Sequence, residues 1–384
     1  MVKRKEQKWI LEEFFKVHDV FSFRNMMFVE WGFKWANVKR TSERMKHPGM
    51  VSKEWVRTAK QQEEMARKAE SDGKFQTAAE FYYQAALYYG PAAGSIYRNT
   101  EQKKEIYGRL IDCYQKFIKY SSLSIERVEI PFENGKNIPG IFQYDSNARK
   151  APCVICIPGM DTIKEYFPSP YNNPFLRRGM ASLTIDGPGQ GESNVRETWV
   201  TLDNYERAGK AAVDYVCSRS EIDPEQIGVY GWSMGSYWAP RVAAYDSRIK
   251  ACVGAMGCYT DKDVIFNQGR PPYKVNYMYM SNISDEEAFD HMTEKMNLET
   301  IMSSIKCPIL LAMGEFDELE PLENVYHFFD KLSCPKEIWV FENEFHVMGG
   351  RLPDFYPIMA DWLKDMLEGK YTKDHAKKVF FEAR

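Results

Sequence analysis

The chain has 384 residues, enough for two or three structural units with a sizeable core. Apolar residues make up 44% and charged residues 27%, and the formal net charge of -3 gives no cationic excess for a polyanion, so nucleic acid is not expected as a partner. No run approaches the roughly 18 apolar residues of a membrane span, and the start MVKRKEQKWILEEFF lacks a signal-type apolar stretch, so no membrane partner and a cytoplasmic address are expected.

In chain order, the first forty residues carry Trp9, Phe14, Phe15, Phe21, Phe23, Phe28, Trp31, Phe33 and Trp35, too many aromatics for a solvated tail. They read as core, with some available to line a pocket. Residues 58–89 place Ala66, Ala69, Phe75, Ala78, Ala79, Tyr82 and Ala85 at helical spacings around a turn at Ser71-Asp72-Gly73. The pattern resembles one tetratricopeptide-type helical hairpin. A solenoid of such units needs about three, so the hairpin is expected to pack on a neighbouring domain. Glu101 to Tyr120 reads as a further amphipathic helix.

The character changes near residue 125, which divides the chain into an N-terminal helical domain, 1–124, contributing to a substrate pocket, and a catalytic domain, 125–384. From there the β-rich runs IERVEIPF, IPGIFQY, PCVICIP, ASLTIDG, IGVYGWS, IKACVGAM, PILLAMG and EIWVFEN alternate with helical segments. Eight mostly parallel strands wrapped by helices fit an α/β-hydrolase fold. The eight cysteines are scattered through apolar runs, as in a reduced core. Cys153 and Cys156 form a CxxC, but in a strand residues three apart point to opposite faces, which argues against a metal or redox pair.

Gly231-Trp232-Ser233-Met234-Gly235 follows the run IGVY and precedes the helical SYWAPRVAAYD. A G-x-S-x-G between strand and helix is a nucleophile elbow, its glycines admitting a strained turn, and makes Ser233 the candidate nucleophile. A serine hydroxyl needs a base oriented by an acid, in the chain order serine, acid, histidine. His18, His47, His291, His327 and His375 lie elsewhere, whereas His346 follows the last expected strand. For the acid, PILLAMG runs into Glu315-Phe316-Asp317-Glu318-Leu319-Glu320-Pro321, and the spacing of Gly314, Asp317 and Pro321 favours Asp317. Glu315, Glu318 and Glu320 are chemically eligible, and Asp261 and Asp263 are positional competitors. The backbone N–H groups of Met234 and Met160 are the candidate oxyanion donors. Residues 186–191, DGPGQG, lack the lysine and helix entry of a phosphate loop and read as a structural turn. Nothing in this chemistry calls for a cofactor or a metal.

Residues 258–305 form a cap-like insertion after the sixth strand, rich in aromatics and methionine: Phe266, Tyr273, Tyr277, Met278, Tyr279 and Met280. Such a composition lines small-ligand pockets and equally makes interfaces. Tyr273 and Tyr277 are candidate substrate contacts, with packing as the alternative.

The stretches PGMDTIKEY, RRGMASLTIDGPGQGES, GWSMGSYWAPRVAAYDSRIKA and CPILLAMGEFDELEP together resemble the 2,6-dihydroxypseudooxynicotine hydrolase family, which includes fungal polyketide chain-shortening hydrolases. The resemblance spans roughly residues 60 to 370. It implies an α/β-hydrolase with an extra helical domain, a homodimer, Ser233 as nucleophile with Asp317 and His346, and an aromatic or polyketide-like small-molecule substrate. Its implied activity is hydrolysis of a C–C bond next to a carbonyl in an aryl ketone or 1,3-diketone. Ester, lactone or amide hydrolysis by the same three residues is the alternative.

Overall fold

The computed structural model describes residues 26–383; Trp9, Phe14, Phe15, Phe21 and Phe23 lie outside them. Helices α1 (Trp35–Arg44), α2 (Val51–Ser71), α3 (Phe75–Gly94) and α4 (Glu101–Tyr120) precede the sheet. The α2–α3 turn passes through Gly73 at φ 70°, a conformation glycine adopts without a Cβ penalty. Thr100 caps α4 by accepting from the Lys103 N–H. Helix α3 is buried nearly all round, and its tyrosines reach polar partners. Tyr83 Oη donates to the Trp31 carbonyl at 3.2 Å, Tyr88 to Gln84 at 2.6 Å and Tyr89 to Glu63 at 2.6 Å.

The sheet follows: β1 (Ile125–Pro131), β2 (Asn137–Gln143), β3 (Ala151–Ile157), β4 (Ala181–Ile185), β5 (Ile222–Trp232), β6 (Ile249–Ala255), β7 (Ile309–Gly314), β8 (Lys336–Phe341) and β9 (Ala376–Phe381). Its order is β1-β2-β4-β3-β5-β6-β7-β8-β9, with β2 antiparallel to both neighbours and all pairs from β4 to β9 parallel. This is an α/β-hydrolase fold. The eight expected strands are present, and a ninth corrects the count. The segment AKKVFF is exposed along most of its length and carries two lysines, so no apolar alternation marks it; pairing with β8, Lys336 to Ala376, makes it a strand.

Alternate strand residues feed two cores. Cys156, Val154, Leu310 and Ala312 join the core shared with the N-terminal helices and with α12 (Leu352–Leu367). Cys153, Ile155, Leu311 and Met313 join the core on the opposite face, under α6 (Asn204–Cys217) and α7 (Gly235–Tyr245). The CxxC cysteines thus belong to different cores, and all eight cysteines are free thiols. Between β6 and β7 lie the insertion helices α8 (Lys262–Phe266), α9 (Pro271–Ser281) and α10 (Glu286–Thr293); α5 (Gly191–Val195) follows β4 and α11 (Leu322–Lys331) follows β7. No helix among the described residues is long and apolar enough to cross a membrane.

The chain leaves β3 for β4 on one side and returns to β5 on the other. The C-terminal ends of β3 and β5 therefore diverge at a topological switch point, where open α/β sheets form a crevice. Ile157 pairs with Gly231, which sets Gly159 beside Ser233.

Candidate active site

Ser233 stands between β5 and α7 with φ 54°, in the left-handed region that a non-glycine residue seldom occupies. Its N–H donates to the Ala255 carbonyl of β6 at 2.9 Å, tying the turn to the sheet. The flanking glycines answer to backbone crowding. A Cβ on Gly231 would lie 2.0 Å from the Gly235 carbonyl oxygen, and one on Gly235 would lie 2.1 Å from that of Ile157. A Cβ on Gly159 would come within 2.9 Å of Ser233 Cβ, so this glycine lets the loop after β3 lie against the serine.

Ser233 Oγ is 2.9 Å from His346 Nε2, and His346 Nδ1 is 3.0 and 3.1 Å from the two Asp317 carboxylate oxygens. With its proton on Nδ1, facing Asp317, the imidazole presents a lone pair at Nε2 to the serine hydroxyl. Asp317 and His346 are 1% and 5% exposed, so this chain of contacts runs through a largely dry site. Burial pulls the imidazole pKa down, but the charge and hydrogen bond of Asp317, helped by Glu318 and Asp161, outweigh it and hold His346 above its ordinary value. Gly314 permits the approach of the two loops, since a Cβ there would meet the Glu344 carbonyl oxygen at 2.4 Å.

The competing acids are engaged elsewhere. Glu315 accepts from the Asn343 N–H at 3.0 Å, and Glu318 accepts from the His346 N–H at 3.1 Å, clamping the histidine backbone. Glu320 accepts from the Thr260 N–H at 2.9 Å and from its hydroxyl, and burial raises its carboxyl to about 7. Asp261 caps α8 through the Asp263 N–H, and Asp263 binds the Asn267 and Gln268 amides.

Met234 and Met160 flank Ser233 on the two loops, and neither N–H donates to another described residue. Tyr273 lines a cavity of about 340 Å³ together with Trp31, Trp55, Asp161, Tyr166 and Arg270. Tyr277 is 1% exposed and packs on Trp238, Phe266 and Phe289, inside the insertion core and apart from that cavity. Of the early aromatics, Phe28 and Trp31 line the cavity, Phe33 is buried, and Trp35 is exposed.

The loop after β3 also carries a buried charge cluster centred on Lys164. The fully buried Lys164 lies 2.7 Å from Glu165, 3.1 Å from Asp186 and 2.9 Å from Glu192, and the Lys164 N–H donates to Asp186 at 2.8 Å. Its only sequence signal is a Lys-Glu pair inside an otherwise buried segment, which reads equally as a solvated turn.

Sheet order, crevice and loop placement define the class: an α/β-hydrolase. The chain belongs to the family described as Esterase FrsA-like, which matches residues 46–315. It is 30% identical over 318 residues to the 2,6-dihydropseudooxynicotine hydrolase of Paenarthrobacter nicotinovorans, covering 82% of this chain and 83% of that one. It is 31% identical over 243 residues to the alpha/beta hydrolase psoB of Aspergillus fumigatus, across 59% of this chain and 54% of that protein. The crystal structure of 2,6-dihydroxy-pseudo-oxynicotine hydrolase superposes with a TM-score of 0.79 at 26% identity, covering 91% of this chain and 98% of that one. The chain is a hydrolase.

Proposed function

We propose that this hydrolase uses Ser233 as nucleophile, His346 as base and Asp317 as its orienting acid to cleave a C–C bond next to a carbonyl in an aryl ketone, polyketide or 1,3-diketone-like substrate. The observation that carries the reading is the hydrogen-bonded run from Ser233 Oγ through His346 to Asp317 at a strained strand-to-helix turn. Ser233 passes its proton to His346 Nε2 as Oγ attacks the carbonyl carbon. The negative oxygen forms against the Met234 and Met160 N–H groups. On collapse the carbonyl carbon parts from the leaving carbon, which takes the proton from His346. Water, deprotonated by His346, then releases the acyl group as a carboxylic acid.

A carbanion leaves far less readily than an alkoxide, so the substrate must delocalise charge, as a hydroxylated aryl ketone or β-dicarbonyl does. The aromatic walls of the cavity, Trp31, Trp55 and Tyr166, suit such a ligand, and the N-terminal helical domain thereby contributes to its binding. Homodimeric assembly in the cytoplasm accompanies this proposal.

Ester, lactone or amide hydrolysis is the second reading, favoured by the esterase description of the family. The test compares a β-diketone with an ester of matched shape, using mass spectrometry of products and a Ser233→Ala control. C–C cleavage products that vanish in the control are expected. Cleavage of the ester alone, with the diketone merely bound, would leave a carboxylester hydrolase, and turnover by Ser233→Ala would remove the serine mechanism.

A further inference from the structure

The DGPGQG turn after β4 reaches the loop beside Ser233 through one side chain. Gln190 is 1% exposed. Its Nε2 donates to the Pro158 carbonyl at 2.7 Å and the Gly159 carbonyl at 3.0 Å, while its Oε1 accepts from the Gly187 N–H at 3.0 Å and from the Tyr205 hydroxyl. Because the Gly187 N–H can only donate and the two carbonyls can only accept, the orientation of the amide is unambiguous and its hydrogen-bonding capacity is full. Tyr205 is itself held by stacking on Trp238 of α7, with centroids 4.2 Å apart and planes at 6°. A Cβ on Gly187 would meet the Tyr205 ring at 2.4 Å, so this glycine makes room for the phenol.

In a planar trans peptide the N–H points opposite to the C=O. A donor fixed on the Gly159 carbonyl therefore fixes the direction of the Met160 N–H and polarises it. The Met160 carbonyl is held in turn by Asn276 Nδ2 at 3.1 Å. Thr162 also donates to the Gly159 carbonyl, but at 3.2 Å from its hydroxyl and 3.4 Å from its N–H.

We propose that Gln190, braced by Tyr205, is a positioning residue for the oxyanion-binding N–H of Met160. This rests on the serine mechanism proposed above. Gln190→Met keeps much of the volume and removes the donors; Tyr205→Phe loosens the brace without touching the loop. With p-nitrophenyl acetate, Gln190→Met should lower kcat by about 30- to 100-fold, with KM changing by less than about threefold, because a mis-aimed donor loses part of what a deleted one would. Affinity for phenylboronic acid, whose serine adduct places a negative oxygen in the same position, should fall in parallel. Tyr205→Phe should move both quantities the same way by about three- to tenfold.

Wild-type kcat and boronate affinity in a folded Gln190→Met would overturn the proposal. So would a loss of kcat at unchanged boronate affinity, which would mark a structural defect only. If Gln190→Met does not fold, Tyr205→Phe decides by the same criteria. Ser233→Ala separates the two levels: residual turnover there sinks the mechanism, whereas a dead Ser233→Ala beside wild-type-like Gln190 and Tyr205 variants sinks this inference alone.

Discussion

At the scale of the residue, the neighbours of His346 act in opposite directions. Burial favours the neutral imidazole, whereas Asp317 first, then Glu318 and Asp161, favour the cation, and the net effect lies above the ordinary 6.5. In the proposed mechanism His346 must be neutral to accept the serine proton, so activity is expected to be lost as pH falls through the raised pKa. The acidic limb of kcat/KM should therefore lie above pH 6.5 in the parent. Asp317→Asn removes the principal raising charge and leaves burial, so the limb should shift to lower pH. It also favours the wrong tautomer, and kcat should fall by about three to four orders of magnitude. A pH–rate profile of both proteins checks this, and an unmoved limb would show that Asp317 does not set the imidazole. His346→Ala should lower turnover by at least about a thousandfold.

At the scale of the element, α2, α3 and α4 are tied at one carboxylate. Glu70 of α2 accepts from Lys116 of α4 at 2.8 Å, and from the hydroxyls of Tyr120 and Tyr82, the latter on α3. The Lys116 hydrogen bond, followed by those of Tyr120 and Tyr82, lowers its pKa from 4.5 to about 2. A depressed carboxylate stabilises the fold above its unfolded pKa, and that contribution is lost as pH falls from about 4.5 through about 2. Glu70→Gln should cost about 1–2 kcal/mol at neutral pH, since the site is partly solvated. It should also flatten the fall in stability across that acid window. Thermal melts at a series of pH values test both, and an unchanged acid slope in Glu70→Gln would mean that Glu70 does not carry it. Gly90 shows another constraint on α3: a Cβ there would lie 2.1 Å from Tyr166 Oη, so the helix backbone lies directly against the Tyr166 ring.

At the scale of the whole molecule, one apolar core runs from the N-terminal helices into the sheet. Trp31 stacks on Tyr166 at 5.2 Å, donates to Tyr356 Oη of α12 at 3.3 Å, and lies 6.4 Å from Trp232 of the elbow. Residues 125–384 expressed alone should therefore be insoluble, or should process small activated esters while losing the real substrate. Full activity of a soluble fragment on that substrate would separate the helices from the pocket. The sequence by itself determined what depends on short spacings: the helical hairpin, the Glu101–Tyr120 helix, eight strands, and the glycines that let Ser233 sit in a strained turn. These follow from periodicity and turn chemistry, which act over a few residues. Tertiary structure alone decided that β9 pairs with β8, that Glu315 and Glu318 bind backbone N–H groups while Glu320 binds Thr260, and that Gln190 reaches Gly159 across 31 positions. It also packed Tyr277 into the insertion and buried Lys164 among three carboxylates. In each case the outcome depends on which distant segment the sheet order brings alongside, and no local pattern of residues encodes that.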